Sequence, residues 1–128
     1  MSEVTRVYEG FVYRSGSKSD ANMTPRPEDD VSPDLHEAGL STWRALESAI
    51  KKPKGTAQKI DLARLDSAIL GCFQDEYGHV SIVPIDQNGQ LDMIVLAEWA
   101  ATRDTQTLHP LTQLVLDAVV EVNVRRPK

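Results

Sequence analysis

Arg14 is the first residue whose type and position suggest chemistry. It follows Tyr13 at the end of a segment rich in β-branched and aromatic residues, which favours a β-strand. An arginine in that position can hold a phosphate through two parallel hydrogen bonds. The structural alternative is an exposed arginine that pairs with an acid of the following loop.

A second candidate is the run MTPRPEDD at residues 23–30, which places two prolines, one cation and three acids in one loop. Prolines restrict the backbone and lower the entropy that is lost on ordering. They would therefore hold Arg26 and Asp29 in place for a polar ligand. The alternative is a solvated linker whose acidic run faces water.

The third candidate is the segment GLSTW at residues 39–43. A hydroxyl of Ser41 or Thr42 at the mouth of a cleft could bond a ribose or a phosphate. The same two hydroxyls also suit the N-cap of a following helix. Trp43 suits the core better than a stacking surface, so a structural explanation covers this whole segment as well.

The histidines and the cysteine carry weaker signals. The histidines lie at positions 36, 79 and 109, without metal-ligand spacing, so no metal site is predicted. His79 opens a predicted strand and could reach a cleft, although a lone histidine is more often structural. Cys72 lacks a nucleophile signature and is predicted to be a small core residue. The common nucleotide-binding and hydrolase motifs are absent.

The hydrophobic pattern predicts one α+β domain over residues 1–128, with small mixed or antiparallel sheets and three to four helices. Residues 15–39 form a long polar loop without periodicity, of a kind that is usually functional or disordered. The predicted strands are 4–14, 59–61, 78–85 and a last one that begins near Val120. The predicted helices are 40–52, 62–70, 91–103 and one that begins at Leu111.

Charge and composition narrow the class of protein. The formal net charge is −5 and the pI about 5.1, so no surface for nonspecific binding of DNA or RNA is expected. A single cysteine cannot form an internal disulfide. No signal peptide and no transmembrane segment are predicted. The expected location is the cytoplasm, and an effector delivered by a route without a signal peptide would have the same features.

The order YR, polar loop, TPRPxxD, GLSTW and GHVSIVP resembles small bacterial toxin- or effector-type proteins with a TPRxxD…GLS pattern. Some of these resemble proteins of the ADP-ribosyltransferase-like fold, whose enzymes consume NAD. The resemblance implies that Arg14 contacts the dinucleotide phosphates and that Ser41 and Thr42 contact the nicotinamide ribose. The further NAD-binding residues that the resemblance implies are Tyr13, Thr24, Arg26, Asp29 and Trp43. The lid over the ligand would be shaped by Thr24, Arg26 and Asp29.

The same resemblance implies a glutamate late in the chain that stabilises the oxocarbenium-like transition state. Glu76, Glu98 and Glu121 are the candidates, and Glu98 completes the predicted catalytic set with Arg14, Ser41, Thr42 and His79. If no glutamate reaches the cleft, the mechanism would use His79 or the transferase hypothesis would fail. The chain is also short for this fold.

Three functions therefore follow as hypotheses. The first is an NAD-dependent ADP-ribosyltransferase or NAD glycohydrolase that acts as a toxin on a protein or nucleic-acid acceptor, with a cognate immunity or antitoxin protein as partner. The second is a non-enzymatic interaction module of the immunity or antitoxin type, suggested by the acidic balance. The third is a small ribonuclease that uses His79 or His109, with Arg14 as a phosphate clamp.

Overall fold

An antiparallel sheet of seven strands frames the part of the chain that the computed structural model describes, residues 3–127. The spatial order of the strands is β1-β5-β6-β3-β2-β4-β7. The strands are β1 (Thr5–Val7), β2 (Phe11–Ser15), β3 (Leu40–Trp43), β4 (Thr56–Asp61), β5 (Leu70–Gln74), β6 (His79–Pro84) and β7 (Val119–Arg125). The helices are α1 (Leu46–Ala49), α2 (Met93–Ala101) and α3 (Pro110–Asp117), with a 3₁₀ turn at Leu62–Arg64. The predicted α+β class and antiparallel pairing are confirmed, whereas the strands form one sheet of seven instead of the predicted small sheets.

The sheet is nearly divided in two between β2 and β3. These strands share one residue pair, Tyr13 with Trp43, whereas β2 pairs with β4 over five residues and β3 with β6 over four. Buried backbone N–H and C=O groups need hydrogen-bond partners. Where the β2–β3 ladder stops, side chains, water or a ligand must therefore supply those partners, and Arg14 does so for the carbonyl of Ser41.

The main core contains buried apolar side chains of the strands and of helices α2 and α3, with Trp99, Leu96 and Ile82 fully buried. Cys72 lies in this core, and burial raises the pKa of its thiol to about 12. A smaller cluster forms where α1 packs against Tyr13 and Trp43. Helix α1 thus covers the one residue pair that joins the two parts of the sheet.

The predicted helix at residues 40–52 is wrong in its first half, where the chain forms β3. Leu40 and Thr42 are buried while Ser41 is exposed, which is the two-residue alternation of a strand. The three-residue spacing of Leu40 and Trp43 fits a helix, but in β3 they lie on opposite faces, where each packs against its own apolar cluster. Pairing with β6 decides in favour of the strand. Only Leu46–Ala49 is helical. Ser41 and Thr42 consequently cap no helix.

Two other predicted elements also differ. The strand expected over 4–14 is interrupted at Gly10, whose φ of 91° takes the chain out of extended conformation. The helix expected over 62–70 is limited to the 3₁₀ turn, with Asp61 as its cap, and Leu70 begins β5 instead. Strand β6 and helix α2 lie within their predicted ranges, and a helix followed by a last strand is found as predicted. No helix among residues 3–127 is long and apolar enough to cross a bilayer.

Candidate functional site

Arg14 bridges the polar loop and β3 at the opening between β2 and β3. Its Nε and Nη2 donate to the carbonyl oxygen of Asn22 at 3.0 and 2.9 Å, and its Nη1 donates to that of Ser41 at 2.9 Å. Three of the five guanidinium N–H groups are thereby used, so two remain for a ligand. Among residues 3–127, no carboxylate lies within ion-pair distance of this side chain. The structure therefore does not show the alternative in which Arg14 pairs with an acidic residue of the following loop.

The surroundings of Arg14 leave its positive charge poorly compensated. Burial lowers the pKa of Arg14 from 12.5 to about 10. The charge of Asp30, the next largest influence, raises this pKa in part, and the charges of Arg103 and Arg26 lower it. The group stays protonated at neutral pH, and its hydrogen-bond partners are neutral carbonyls. A partly desolvated cation of this kind gains energy when an anion binds beside it.

A depression of about 300 Å³ opens beside Arg14. The loop residues Arg26 and Asp29 lie on its wall, so the structure brings these two predicted site residues next to Arg14. The loop is ordered by its own hydrogen bonds. Asp30 accepts from the backbone N–H of Arg26 at 2.6 Å, and the carbonyl of Asp30 accepts from Gly39 at 2.9 Å.

Ser41 and His79 meet although 38 positions separate them in the chain. The Oγ of Ser41 lies 2.6 Å from Nε2 of His79. An Oδ2 of Asp75 lies 4.0 Å from Nδ1 of His79 and 4.0 Å from Nδ1 of His36. The other carboxylate oxygen of Asp75 accepts from the backbone N–H groups of Tyr77 and His79. Serine, histidine and aspartate are thus aligned on one side of the sheet.

Strand register explains how His79 is held. His79 pairs with Trp43 across β3 and β6, and the two rings meet edge to face at 4.7 Å between centroids. Burial lowers the pKa of His79, the charge of Asp75 raises it in part, and His36 lowers it. The imidazole is therefore largely neutral at pH 7 and can accept or donate a proton at Nε2.

Other predicted site residues lie outside this arrangement. Thr42 is buried on the opposite face and donates to the carbonyl of Val80 at 2.8 Å. Thr24 is buried and bonds Thr112 at 2.7 Å, so it anchors the loop to α3. Tyr13 and Trp43 are half-buried under α1.

The glutamates do not join Ser41 and His79 either. Glu98 is exposed on α2, and its charge acts on His109, whereas the charges that act on His79 are those of Asp75 and His36. Glu76 is exposed in the β5–β6 turn. Glu121 is exposed on β7 and lies 4.0 Å from Lys59. The late glutamate that the resemblance implies thus has no counterpart beside His79 among the described residues.

Sequence reasoning missed Asn22, Asp75 and Arg103. Asn22 acts through its backbone carbonyl, for which side-chain identity carries no signal. Asp75 stands in the turn DEYG directly before His79, and a turn aspartate of this type bonds the backbone two residues further on. That turn motif was the available signal. Arg103 follows α2 and donates to the carbonyl of Ala21, a contact that only the tertiary fold creates.

Residues 3–127 contain no cluster of three or more histidine, cysteine, aspartate or glutamate side chains that could hold a metal ion. His109 is bound at the start of α3, where its Nδ1 accepts from the N–H of Leu111 at 3.1 Å. Comparison with protein-family models finds no family that matches the chain, and searches of curated proteins and of solved structures find no significant match.

Proposed function

We propose that the chain is an NAD-consuming, ADP-ribosyltransferase-like enzyme of the toxin or effector kind, with its cleft at the opening between β2 and β3. The observation that carries the proposal is the Arg14 guanidinium. It is partly desolvated, has no carboxylate partner among residues 3–127, keeps unused donors, and is bonded to the backbone of Ser41. The division of the sheet at this point supports the assignment to that fold.

In this proposal Arg14 and Arg26 bind the diphosphate of NAD. Both line the same depression, and a diphosphate carries the two negative charges that such a pair favours. Asp29 and Asp30 on the same wall repel phosphate and accept hydrogen bonds from sugar hydroxyls. The dinucleotide would therefore lie with its phosphates toward the arginines and a ribose toward the acids or toward Ser41.

The bond to nicotinamide breaks with positive charge building on the ribose. Within the described part of the chain no glutamate lies beside Ser41 and His79, so in this proposal His79 takes the part of the base that removes a proton from the attacking water or acceptor. Burial lowers its pKa, which keeps the imidazole in the neutral form that this step requires. The negative charge of Asp75 near His79 and the hydroxyl of Ser41 then supply the polar environment for the sugar.

The test is NAD consumption and NAD binding by the purified protein and by the variant Arg14→Ala. Removal of the guanidinium should lower turnover by about 100-fold or more, since one preorganised electrostatic contact is worth this much. Arg64→Ala is the matched control because Arg64 is exposed and lies 3.6 Å from Asp61, away from the opening. A folded wild-type protein that neither binds nor cleaves NAD contradicts the proposal.

The variant Arg14→Lys separates charge from geometry. Lysine keeps the positive charge but loses the planar fork that can hold one carbonyl and a phosphate together. We expect turnover between that of wild type and of Arg14→Ala. Equal turnover of Arg14→Lys and wild type would show that the fork plays no part in binding.

A further inference from the structure

Ser41 stands out among the hydroxyl groups of the sheet because it is exposed and bonded to a histidine nitrogen. The side chain lies on β3 at the surface, and the 2.6 Å separation from Nε2 is short for a hydroxyl–imidazole hydrogen bond. Ser81, its register partner on β6, offers a contrast. Ser81 is only 1% exposed, and its Oγ has no hydrogen-bond partner among the described residues.

We propose that Ser41 is a nucleophile that attacks small activated carboxylic esters, with His79 as its general base and Asp75 as the residue that positions His79. This activity is distinct from NAD cleavage and goes beyond it. The proposal stands on three observations: the Oγ–Nε2 contact, the carboxylate on the far side of the ring, and the access of solvent to Ser41.

The carboxylate selects the tautomer that the chemistry needs. One oxygen of Asp75 is held by two backbone N–H groups of the β5–β6 turn, which leaves Oδ2 facing Nδ1 of His79. A carboxylate on that side favours the proton on Nδ1, so the lone pair of Nε2 faces the hydroxyl of Ser41. The 4.0 Å separation exceeds a direct hydrogen bond, so Asp75 acts on the imidazole through its charge, and the same oxygen lies 4.0 Å from Nδ1 of His36.

Packing limits the other orientations of the imidazole. Trp43 meets the ring edge to face, and His79 is only 6% exposed. The hydroxyl that it contacts is nevertheless open to solvent. A serine that served only the stability of the sheet would gain nothing from this access, whereas a nucleophile requires it.

The step balances as an ordinary acyl transfer. Ser41 Oγ bonds to the acyl carbon while its proton moves to Nε2 of His79. The bond between the acyl carbon and the leaving oxygen then breaks, and that oxygen takes the proton from His79. Water next attacks the acyl–Ser41 ester with the same base, which releases the carboxylic acid and restores the serine.

The test uses the full chain with two probes, p-nitrophenyl acetate for turnover and phenylmethylsulfonyl fluoride for covalent labelling read by peptide mass. We expect an initial burst of nitrophenol, a single adduct on Ser41, and loss of both in Ser41→Ala. The variant His79→Gln should lower the rate by about 100-fold or more. Ser81→Ala is the control hydroxyl and should keep the wild-type rate. A wild-type protein that is not labelled on Ser41, or a Ser41→Ala variant that hydrolyses at the wild-type rate, overturns the proposal.

Asp75→Asn tests the positioning role. Asparagine keeps an oxygen for the backbone N–H groups of the turn but removes the negative charge that raises the pKa of His79. The rate should fall, and the acid limb of its pH profile should move to lower pH. An unchanged limb would assign Asp75 a structural role only. Ester labelling without NAD consumption would leave this proposal standing while the NAD proposal fails, and the reverse result would separate them in the other direction.

Discussion

In two regions of this molecule a hydroxyl is hydrogen-bonded to the nitrogen of an aromatic ring, and the two regions differ in their access to solvent. In the buried network between the loop and α3, Trp99 donates to Thr112 at 2.8 Å, Thr112 bonds Thr24 at 2.7 Å, and Thr24 donates to the carbonyl of Asp20. In the open pair, Ser41 contacts His79 at 2.6 Å with solvent on one side. The first network is closed and the second is not.

The difference separates structural from chemical hydroxyls. Each hydroxyl of the closed network donates one hydrogen bond and accepts another, and the side chains of Trp99, Thr112 and Thr24 are at most 4% exposed. Nothing in it can titrate near neutral pH. The open pair contains a titratable ring and an accessible oxygen. The lid role that the resemblance implies for Thr24 is therefore better explained as an anchor, whereas Ser41 has the surroundings of a reactive group.

The largest expected effect is on the closed network. Trp99→Ala removes a fully buried indole and should lower the free energy of unfolding by about 3–5 kcal/mol. Glu98→Ala, the exposed neighbour on α2, should stay within about 0.5 kcal/mol of wild type. Urea denaturation followed by fluorescence or circular dichroism measures both. A loss in Trp99→Ala as small as that of the control would show that α2 is not part of the core.

Gly39→Ala should have the next largest effect on stability. It strains the start of β3 and so disturbs the contact between Ser41 and His79. Gly39 has a φ of 71°, and an added Cβ would overlap the carbonyl oxygen of Ile82. The backbone conformation alone costs about 1–3 kcal/mol for a residue with a side chain. Gly78 also has a positive φ of 80°, but a Cβ there would lie 3.6 Å from Arg44, so Gly78→Ala should cost less. Equal losses in the two variants would contradict this explanation.

Thr112→Val sharpens the comparison between the two regions. It leaves the Trp99 N–H buried without its partner and removes the hydrogen bond to the Thr24 hydroxyl, which still donates to the carbonyl of Asp20. The free energy of unfolding should fall by about 1–3 kcal/mol. Ser41→Ala removes a hydroxyl that water can replace, and the change should stay within about 0.5 kcal/mol. Equal losses in the two variants, measured by urea denaturation, would mean that the open pair is structural too.

The smallest expected effect is on the pH dependence of stability. Burial lowers the pKa of His79 in the folded chain, so the unfolded chain binds the extra proton more readily. The contribution of the neutral imidazole is fully present above the unfolded value of 6.5 and is lost as the pH falls through the folded pKa. His79→Gln should flatten this acid limb. A steeper limb in the variant would show that protonated His79 is stabilised by Asp75 rather than penalised by burial.

Local sequence patterns predicted the elements whose composition agrees with their burial. Strand β6 is rich in β-branched residues and is buried at every position, whereas α2 and α3 turn one apolar side toward the core. The end of the first strand, where Arg14 stands, was predicted from its β-branched and aromatic residues. The polar texture of residues 15–39 likewise indicated a loop, and beyond Ser15, which ends β2, the structure has neither a helix nor a strand there.

Long-range pairing decided what the patterns left open. Leu40 to Trp43 fits a helix and a strand, and only the hydrogen bonds to β6 select the strand. The contact of Ser41 with His79 spans 38 positions and that of Thr24 with Thr112 spans 88, so neither leaves a local signal. A sequence by itself states which residues can titrate, cap or be buried. The order of strands in the sheet determines which of those residues meet, because it brings distant segments within hydrogen-bond distance.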